Sequence, residues 1–307
     1  MNKQITVVGS INMDLVIRVP RMPLPGETLA GGDFHVIPGG KGANQAVAAA
    51  RLGGSVAMIG RVGGDDFGRR QQEGLRRDGI DLSRLSVDED CATGIAMITV
   101  DESGQNSIII SPEANGRVSA TQVEEAAEGI CRANMLLCQL EVPIEAVTRA
   151  VDIAHAHQVA VALNPAPAAR LDASLLEKVS YFIVNETEAE FYSDIQVTDR
   201  ESAKRAAQKL QQSGIETVLV TLGEKGVLVA HNGEFFHEDA LSVQAVDTTA
   251  AGDTFVGAFS VAMTAGRTLR EAVMFASHAA ALTVTRLGAQ SSIPTYDEVA
   301  QFLKERQ

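Results

Sequence analysis

Long apolar runs and paired cysteines are scarce in this sequence, and their scarcity excludes several classes of protein. No segment is a run of about 18 apolar residues or resembles a signal peptide, so we expect neither membrane insertion nor a membrane partner. The three cysteines, Cys91, Cys131 and Cys138, form no Cys-x-x-Cys pair and no metal-type cluster with the six histidines. We therefore expect reduced thiols in a cytoplasmic protein that has no disulfide framework.

Basic residues are also in short supply. The chain has 26 lysine and arginine residues against 39 acidic ones, for a net charge of −13, and the basic residues are scattered. Because proteins bind nucleic acid backbones through clustered Lys and Arg, we expect no nucleic acid partner. An anionic small ligand would need a local positive site made from backbone amides, one or two basic side chains and metal ions.

Short apolar runs, separated by helix-like segments, are abundant. The 307 residues are 45% apolar, which is enough for a substantial core. Continuous apolar runs, typical of strands covered on both faces, lie at residues 5–8, 56–59, 135–138, 159–163, 181–184 and 217–220. Helical spacing of apolar residues predicts helices at 42–53, 66–78, 119–130, 143–157, 198–213, 252–265 and 268–285. The predicted fold class is α/β, a mostly parallel sheet flanked by helices on both faces, in a single domain over residues 1–307.

Two segments, residues 15–37 and 91–111, break this alternation. Each contains strand-like pieces and a turn signal, Pro-Leu-Pro-Gly at 23–26 and Asp-Glu-Ser-Gly at 101–104. Such signals favour hairpins over crossover helices. We predict that the two segments form a small β-sheet that projects from the main domain as a lid.

The most informative chemical pattern is in residues 247–255, where Asp247 and Asp253 bracket a run of small residues. Small residues at 250–252 let backbone N–H groups approach an oxygen-rich ligand, and the apolar residues that follow predict a buried helix. A helix N-terminus favours a phosphoryl group, and Asp253 could there take a proton from a hydroxyl nucleophile. Asp253 could equally cap the helix, and the pattern alone leaves both roles open.

Asn12 and Asp14 follow the first predicted strand. Two residues apart, they point the same way in extended geometry. An amide beside a carboxylate suits neighbouring hydroxyls of a polyol. A polar loop with an Asx-type turn at Asn12 is the alternative.

Residues 39–46 place three glycines around Lys41 before a predicted helix. The glycines would let the backbone approach a ligand and Lys41 would add a positive charge, whereas a glycine-rich turn before a helix is the alternative. The segment is not a Walker A loop, because His35 stands where that motif has its first glycine and Gly42 follows the lysine in place of Ser or Thr. No G-x-G-x-x-G stands between a strand and a helix, so a dinucleotide fold has no support.

Two more motifs directly follow predicted strands, at the carboxyl edge of the sheet where open α/β folds bind ligands. Residues 185–188, Asn-Glu-Thr-Glu, carry carboxylates that could orient the waters of a magnesium ion or could be acidic first-turn residues of a helix. Residues 221–226, Thr-Leu-Gly-Glu-Lys-Gly, have glycines that leave room for a nucleotide.

Together and in this order, the motifs at 39–46, 185–188, 221–226 and 247–255 resemble those of the ribokinase family of ATP-dependent sugar kinases. The likeness extends over essentially the whole chain. It implies a central parallel sheet with flanking helices and a β-lid that also forms a homodimer interface. It also implies transfer of the γ-phosphoryl group of ATP to the primary O5 hydroxyl of a furanose, with D-ribose as the expected substrate.

The resemblance also implies roles for individual residues. Asp253 would be the general base, and the residues expected to bind the sugar are Asn12, Asp14, Gly40, Lys41, Asn44 and Glu141. An anion hole would be formed by the N–H groups of Ala250, Ala251 and Gly252. Asn185 and Glu188 would face the phosphates and Mg²⁺. The residues expected to line the nucleotide site are Thr221, Gly223, Gly226 and Ser277.

A potassium ion beside the anion hole is a further implication of the resemblance. Backbone carbonyls would mostly hold it, in loops that carry Asp247, Thr249, Thr283, Arg286, Gly288 and Ser292. The alternative for Asp247 is a loop carboxylate that pairs with a nearby arginine.

One segment departs from the family pattern. Where the family has Gly-Ala-Asn at the end of the second lid strand, this chain has Ser-Pro-Glu-Ala-Asn at 111–115. A proline and an extra carboxylate could reshape the sugar pocket, which leaves 2-deoxyribose, another furanose or a nucleoside open as the acceptor. A catalytically silent sugar-binding regulator on the same fold is the alternative from another functional class.

Overall fold

The computed structural model describes residues 4–305 of the chain. Its strands are β1 (Gln4–Val8), β2 (Asn12–Val19), β3 (Phe34–Gly39), β4 (Ser55–Gly63), β5 (Leu85–Asp88), β6 (Gly94–Asp101), β7 (Asn106–Ser111), β8 (Met135–Cys138), β9 (Ala160–Leu163), β10 (Tyr181–Asn185), β11 (Thr217–Thr221), β12 (Val227–His231) and β13 (Glu234–Glu238). Its helices are α1 (Lys41–Arg51), α2 (Asp66–Arg77), α3 (Ala120–Glu125), α4 (Ala127–Cys131), α5 (Ile144–Ala156), α6 (Ala173–Leu176), α7 (Glu186–Ser193), α8 (Arg200–Gln211), α9 (Ala251–Thr264), α10 (Leu269–Thr283) and α11 (Tyr296–Lys304).

A nine-stranded sheet in the order β13-β12-β11-β10-β9-β8-β1-β4-β5 forms the centre of the molecule. Its strands are parallel from β11 to β5, and β12 and β13 add an antiparallel edge. Along β8, Leu136 and Cys138 join one apolar cluster while Met135 and Leu137 join another. Successive side chains of a strand point to opposite faces, so both faces of the sheet are covered. The predicted α/β fold is confirmed.

The predicted helices correspond closely to α1, α2, α5, α8, α9 and α10. The helix predicted at 119–130 is two short helices, α3 and α4, that meet at Ala126. Helices α6 and α11 were not predicted, and the start of α7 was one of two interpretations of residues 185–188. Within residues 4–305, no helix has both the length and the apolar character needed to cross a membrane.

The hairpin of β12 and β13 was also missed. Its turn is Asn232-Gly233, with φ values of 49° and 78°. An Asn-Gly pair adopts such positive φ readily and is a strong short-range hairpin signal. The signal was therefore present in the sequence, next to the buried apolar run of β12.

Strands β3, β2, β6 and β7 form a second sheet in that order. The predicted hairpin-like excursions are therefore strands, as expected. The sheet extends farther than predicted, because Asn12 is already paired with Gly39 and Gly94. Asn12 and Asp14 are thus strand residues on one face, and the Asx-turn alternative for Asn12 is wrong.

Helices α1 and α9 lie unusually close together at Gly257. A Cβ atom at Gly257 would lie 2.7 Å from the Ala48 Cβ and 2.8 Å from the Gln45 carbonyl oxygen. Only a glycine leaves room for the backbone of α1 at this distance. This contact brings the first turn of α1 to the first turn of α9.

We predict that Gly257→Ala lowers the free energy of unfolding by about 2 kcal/mol, because backbone atoms of α1 would have to move to admit the methyl group. The matched control is Gly74→Ala in α2, where a Cβ would meet nothing within 4 Å. That variant should gain about 0.5–1 kcal/mol from the better helix propensity of alanine. Denaturant unfolding measures both, and equal stability of the two variants would contradict the close packing.

Candidate active site

Asp253 lies in the first turn of α9, and its side chain is held by α1. Its Oδ2 accepts a hydrogen bond from Asn44 Nδ2 at 2.9 Å, and its Oδ1 accepts one from Gln45 Nε2 at 3.0 Å. The N-cap residue of α9 is Ala250, and no side chain caps the helix. Asp253 therefore does not act as a cap, and that alternative is wrong.

The charge of Asp253 is opposed by burial, since the residue is only 8% exposed. Burial raises the pKa of Asp253, against the opposing effects of Lys41, Asn44 and Gln45. Burial lowers the pKa of Lys41, but nearby carboxylates, led by Asp253 and Glu141, raise it above its ordinary value. Lys41 is therefore a protonated amine beside a buried carboxylate.

Glu141 fixes the turn that leads into α1. Its Oε2 accepts hydrogen bonds from Ser10 Oγ at 2.5 Å and from the Lys41 backbone N–H at 3.1 Å. Gly40 in this turn has a φ of 92°, and a Cβ there would lie 2.6 Å from the backbone nitrogen of Asn12. The glycine is needed for the close approach of this turn to β2.

Asn12 and Asp14 in β2 are buried beside this turn, at 2% and 7% exposed. Burial, with the nearby carboxylates of Glu141 and Asp253, raises the pKa of Asp14 to about 7. The Asn12 carbonyl accepts a hydrogen bond from Gln71. The structure thus brings these two predicted sugar residues into the same charged cluster as Asp253.

Asn115 also belongs to this cluster, and sequence reasoning did not assign it a role. Its Nδ2 donates to Asn12 Oδ1 at 2.7 Å, and its Oδ1 accepts from the Ile11 N–H at 2.8 Å. Glu113 in the same departing segment is exposed and accepts from Ser111 Oγ at 2.7 Å. The departing segment 111–115 therefore still places an asparagine beside Asn12. The Asn that ends this segment was the sequence signal for Asn115.

The small residues before α9 form a tight turn. Ala250 has a φ of 59°, in the left-handed region, and the Ala251 N–H points back to the Thr248 carbonyl at 3.3 Å. A Cβ at Gly252 would meet nothing within 4 Å. The space beside Gly252 is open, as an approaching anionic ligand requires.

Asn185 and Glu188 cap helix α7 reciprocally. Glu188 N–H donates to Asn185 Oδ1 at 2.8 Å, and Asn185 N–H donates to Glu188 Oε2 at 3.0 Å. The reading of these residues as part of a helix start is therefore confirmed. Burial raises the pKa of Glu188, while Lys41 lowers it, so the Glu188 carboxylate also faces the charged cluster.

The residues predicted to line the nucleotide lie at the end of β11, in the turn after it and in α10. Thr221 is the register partner of Asn185 across β10 and β11. Gly226 has a φ of 94°, and a Cβ there would lie 2.8 Å from the backbone nitrogen of Ala240. The backbone conformation and the close packing both require a glycine at this position. Ser277 Oγ is buried without a hydrogen-bond partner among the described residues. Among residues 4–305, the Asp253 side chain bonds to Asn44 and Gln45 and not to Gly223 or Ser277.

Asp247 joins the two loops of the predicted potassium site. Its Oδ1 accepts from the Thr249 N–H and its Oδ2 from the Gly288 N–H, each at 2.9 Å. Burial would raise the pKa of Asp247, but these hydrogen bonds hold it below its ordinary value. Among residues 4–305, Asp247 forms no ion pair with an arginine within 4 Å. Arg18 adds a smaller lowering effect on the pKa of Asp247, so the carboxylate is held by backbone N–H groups and not by a direct arginine pair.

Side chains on the second loop are occupied by other bonds. Thr283 Oγ1 donates to the Ala279 carbonyl at 3.0 Å, Arg286 pairs with Glu298 at 2.7 Å, and Ser292 Oγ donates to the Ala289 carbonyl at 2.7 Å. Within residues 4–305, no group of three His, Cys, Asp or Glu side chains could hold a metal. A cation at these loops would therefore draw most of its ligands from backbone carbonyls.

Comparison with known proteins gives matches over the whole chain. The family described as pfkB family carbohydrate kinase matches residues 2–296. The chain is 45% identical over 304 residues to the ribokinase of Haemophilus influenzae, with 99% of both proteins covered. It is 37% identical over 300 residues to the deoxyribokinase of Salmonella typhimurium, with 97% and 98% covered. The solved structure of Arabidopsis thaliana ribokinase complexed with ribose and ATP matches with a TM-score of 0.93 at 32% identity, with 99% of both chains covered.

Proposed function

The chain belongs to the pfkB family of carbohydrate kinases, and on that premise we propose that it transfers the γ-phosphoryl group of ATP to O5 of D-ribose. The products are ribose 5-phosphate and ADP. The observation that carries the proposal is the buried Asp253 carboxylate, held by Asn44 and Gln45 beside Lys41. The ribokinase relative from Haemophilus influenzae supports ribose as the acceptor.

The sugar binds at the cluster formed by β2 and the start of α1. Asn12, Asp14 and Glu141 offer amide and carboxylate groups to its hydroxyls, and Gly40 and Lys41 shape the adjoining turn. Asn44 Oδ1 is buried without a partner among the described residues, which fits a bond from a sugar hydroxyl. Fixing the furanose in this way can raise the rate by several powers of ten.

Asp253 acts as the general base. It takes the proton from the O5 hydroxyl as that oxygen attacks the γ-phosphorus and the bond to the β-phosphate oxygen breaks, which releases ADP. A raised pKa makes the Asp253 carboxylate a better proton acceptor. The N–H groups of Ala250, Ala251 and Gly252, with Lys41, would stabilise the charge that develops on the transferring oxygens, and for this the Ala251 N–H would exchange its 3.3 Å bond to the Thr248 carbonyl for one to the phosphoryl group.

ATP binds at the carboxyl edges of β10 and β11 and beside α10. Thr221, Gly223, Gly226 and Ser277 line the nucleotide, and the unpartnered Ser277 hydroxyl is available to it. Asn185 and Glu188 offer the oxygen donors that Mg²⁺ prefers, and each retains acceptor capacity beyond the capping bonds. Bound Mg²⁺ would neutralise charge on the phosphates.

The experiment that tests this function compares the wild type with Asp253→Asn over a panel of sugars in a coupled ADP-release assay. We expect D-ribose to be the best substrate, because Asp14 loses a hydroxyl partner when O2 is missing. Asp253→Asn keeps the shape of the site without the base, so turnover should fall at least about 10²-fold while ATP binding is retained. Near-normal turnover of the variant would remove the base role.

The same panel separates the alternative functions. A higher kcat/KM for 2-deoxyribose would make the chain resemble the deoxyribokinase relative in function as well as in sequence. Preference for another furanose or a nucleoside would point to a different acceptor in the same family. Sugar binding without ADP release by the wild type would identify a catalytically silent regulator.

In this proposal a potassium ion would add positive charge near the anion-hole loop and would stiffen that loop. Backbone carbonyls of the loops at Thr249, Thr283, Arg286, Gly288 and Ser292 would hold the ion, and Asp247 ties the two loops together. Turnover should rise when potassium chloride replaces tetramethylammonium chloride at equal ionic strength, and Asp247→Ala should lose that response. Equal wild-type rates in the two salts would contradict the site.

The small sheet closes over the sugar as a lid and pairs with a second copy of the chain. Its edge strand β7 is exposed along most of its length, and Met97 and Ile109 are 55% and 67% exposed. Apolar sheet surfaces of this kind are typical of interfaces. Sedimentation should show a wild-type dimer that Ile109→Glu weakens and that Val87→Glu, on the main sheet, does not. A monomeric wild type would exclude the interface.

We place the enzyme in the cytoplasm, where ATP is supplied. Its three cysteines are free thiols, which fits a reducing compartment. Cell fractionation tests this location, and recovery of the protein outside the cytoplasm would contradict it.

A further inference from the structure

We propose that Gln45 is a positioning residue for Asp253 and that Gln139 and Asn164 hold Gln45 in its working orientation. The proposal rests on the proposed function, because it takes Asp253 as the base of the kinase reaction. The buried amides of Gln45 and Gln139 and the half-buried amide of Asn164 thus form a support for the reacting carboxylate, separate from the groups assigned to the sugar and the nucleotide.

Both ends of the Gln45 side-chain amide are hydrogen-bonded within the protein. Its Nε2 donates to Asp253 Oδ1 at 3.0 Å and to Asn164 Oδ1 at 3.1 Å, and its Oε1 accepts from Gln139 Nε2 at 2.6 Å. Because two acceptors face one end of the amide and a donor faces the other, the orientation of the amide is determined. A reversed amide would place an oxygen against the Asp253 carboxylate.

The orientation is anchored in the main sheet. Asn164 follows β9, and its Nδ2 donates to the Ile183 carbonyl in β10 at 2.9 Å. Gln139 follows β8 and is fully buried. A Cβ on Gly9 would overlap the Gln139 side chain, so the glycine after β1 leaves the room it needs. Groups in or directly after four neighbouring strands therefore fix the position of Gln45.

Gln45 and its neighbour Asn44 serve Asp253 differently. Asn44 donates to Asp253 Oδ2, but its own Oδ1 has no partner among the described residues and is available to the sugar. Gln45 is fully buried, and both of its N–H groups are already donated. Gln45 thus has no donor left for a substrate, and it acts on the reaction only through Asp253.

The hydrogen bond from Gln45 lowers the proton affinity of the Asp253 carboxylate. A hydrogen bond to the charged form of a carboxyl lowers its pKa, and burial opposes it. The charged groups around Asp253 are Lys41 in α1, Glu141 after β8, Asp14 in β2 and Glu188 in α7. None of these changes in a Gln45 variant, so loss of the donor should move the titration of the base to higher pH.

The test measures kcat for D-ribose at saturating sugar and ATP across pH for the wild type and Gln45→Met. Methionine keeps the length of the side chain without its donors. We expect the acid limb of the kcat profile to move up by about one pH unit, because the charged carboxylate loses a hydrogen bond. At the optimum, kcat should fall about 10-fold or more, whereas KM for ribose should change less than about 3-fold.

Two further variants complete the design. Gln139→Met leaves the direct contacts of Asp253 intact and releases the Gln45 amide, so it should shift the acid limb in the same direction by a smaller amount. If Gln45→Met does not fold, the pH profile of Gln139→Met alone decides the test. The control is Gln122→Met, which removes another buried glutamine whose Nε2 donates to the Gly60 carbonyl at 2.6 Å. Its pH profile should match the wild type.

A drop in kcat by the same factor at every pH, with the acid limb unmoved, would overturn the proposal in favour of a purely structural role. A raised KM with unchanged kcat would overturn it as well, since it would place Gln45 at the sugar. Asp253→Asn is measured alongside. Activity in that variant would count against the proposed base itself, whereas an inactive Asp253→Asn with unshifted glutamine variants counts only against the role of Gln45.

Discussion

The structure depends on keeping a usable carboxylate at a place where burial opposes its charge. Removing a carboxylate from water is costly unless donors and a counter-charge replace the lost hydration. Lys41 and the amides of Asn44 and Gln45 supply that replacement around Asp253. They compensate only in part, and the remaining penalty raises the pKa of Asp253, which makes the carboxylate a stronger proton acceptor.

The same requirement explains why the site draws on distant parts of the chain. Asp253 and Asn44 are 209 residues apart in sequence, and they meet because α1 and α9 touch at Gly257. Parallel strands deliver further polar groups to one edge of the sheet, among them Gln139 and Asn164. The second sheet contributes Asn12 and Asp14 from its first strand. No single element holds the site, so its geometry is a property of the packed fold.

Much of this could be predicted from the sequence, and the failures have physical causes. Apolar runs on doubly covered strands and the 3.6-residue spacing of helices are strong signals, so the fold class was predictable. The Asp253 pattern could not distinguish a cap from a base, because both roles use a carboxylate in a first helical turn. The structure excludes the cap, because the carboxylate bonds to α1 and no side chain caps α9. Gln45, Gln139 and Asn164 have no characteristic spacing, since tertiary packing alone brings them together. The hairpin after β11 was missed although its Asn-Gly turn was visible.

The most direct measurement is the structure of the enzyme with D-ribose and a non-hydrolysable ATP analogue. The account predicts an Asp253 carboxylate oxygen about 3 Å from O5 of the ribose, with O5 facing the terminal phosphorus and Gln45 still bonded to the other carboxylate oxygen. A ribose bound elsewhere, or an Asp253 side chain turned away from O5, would contradict it.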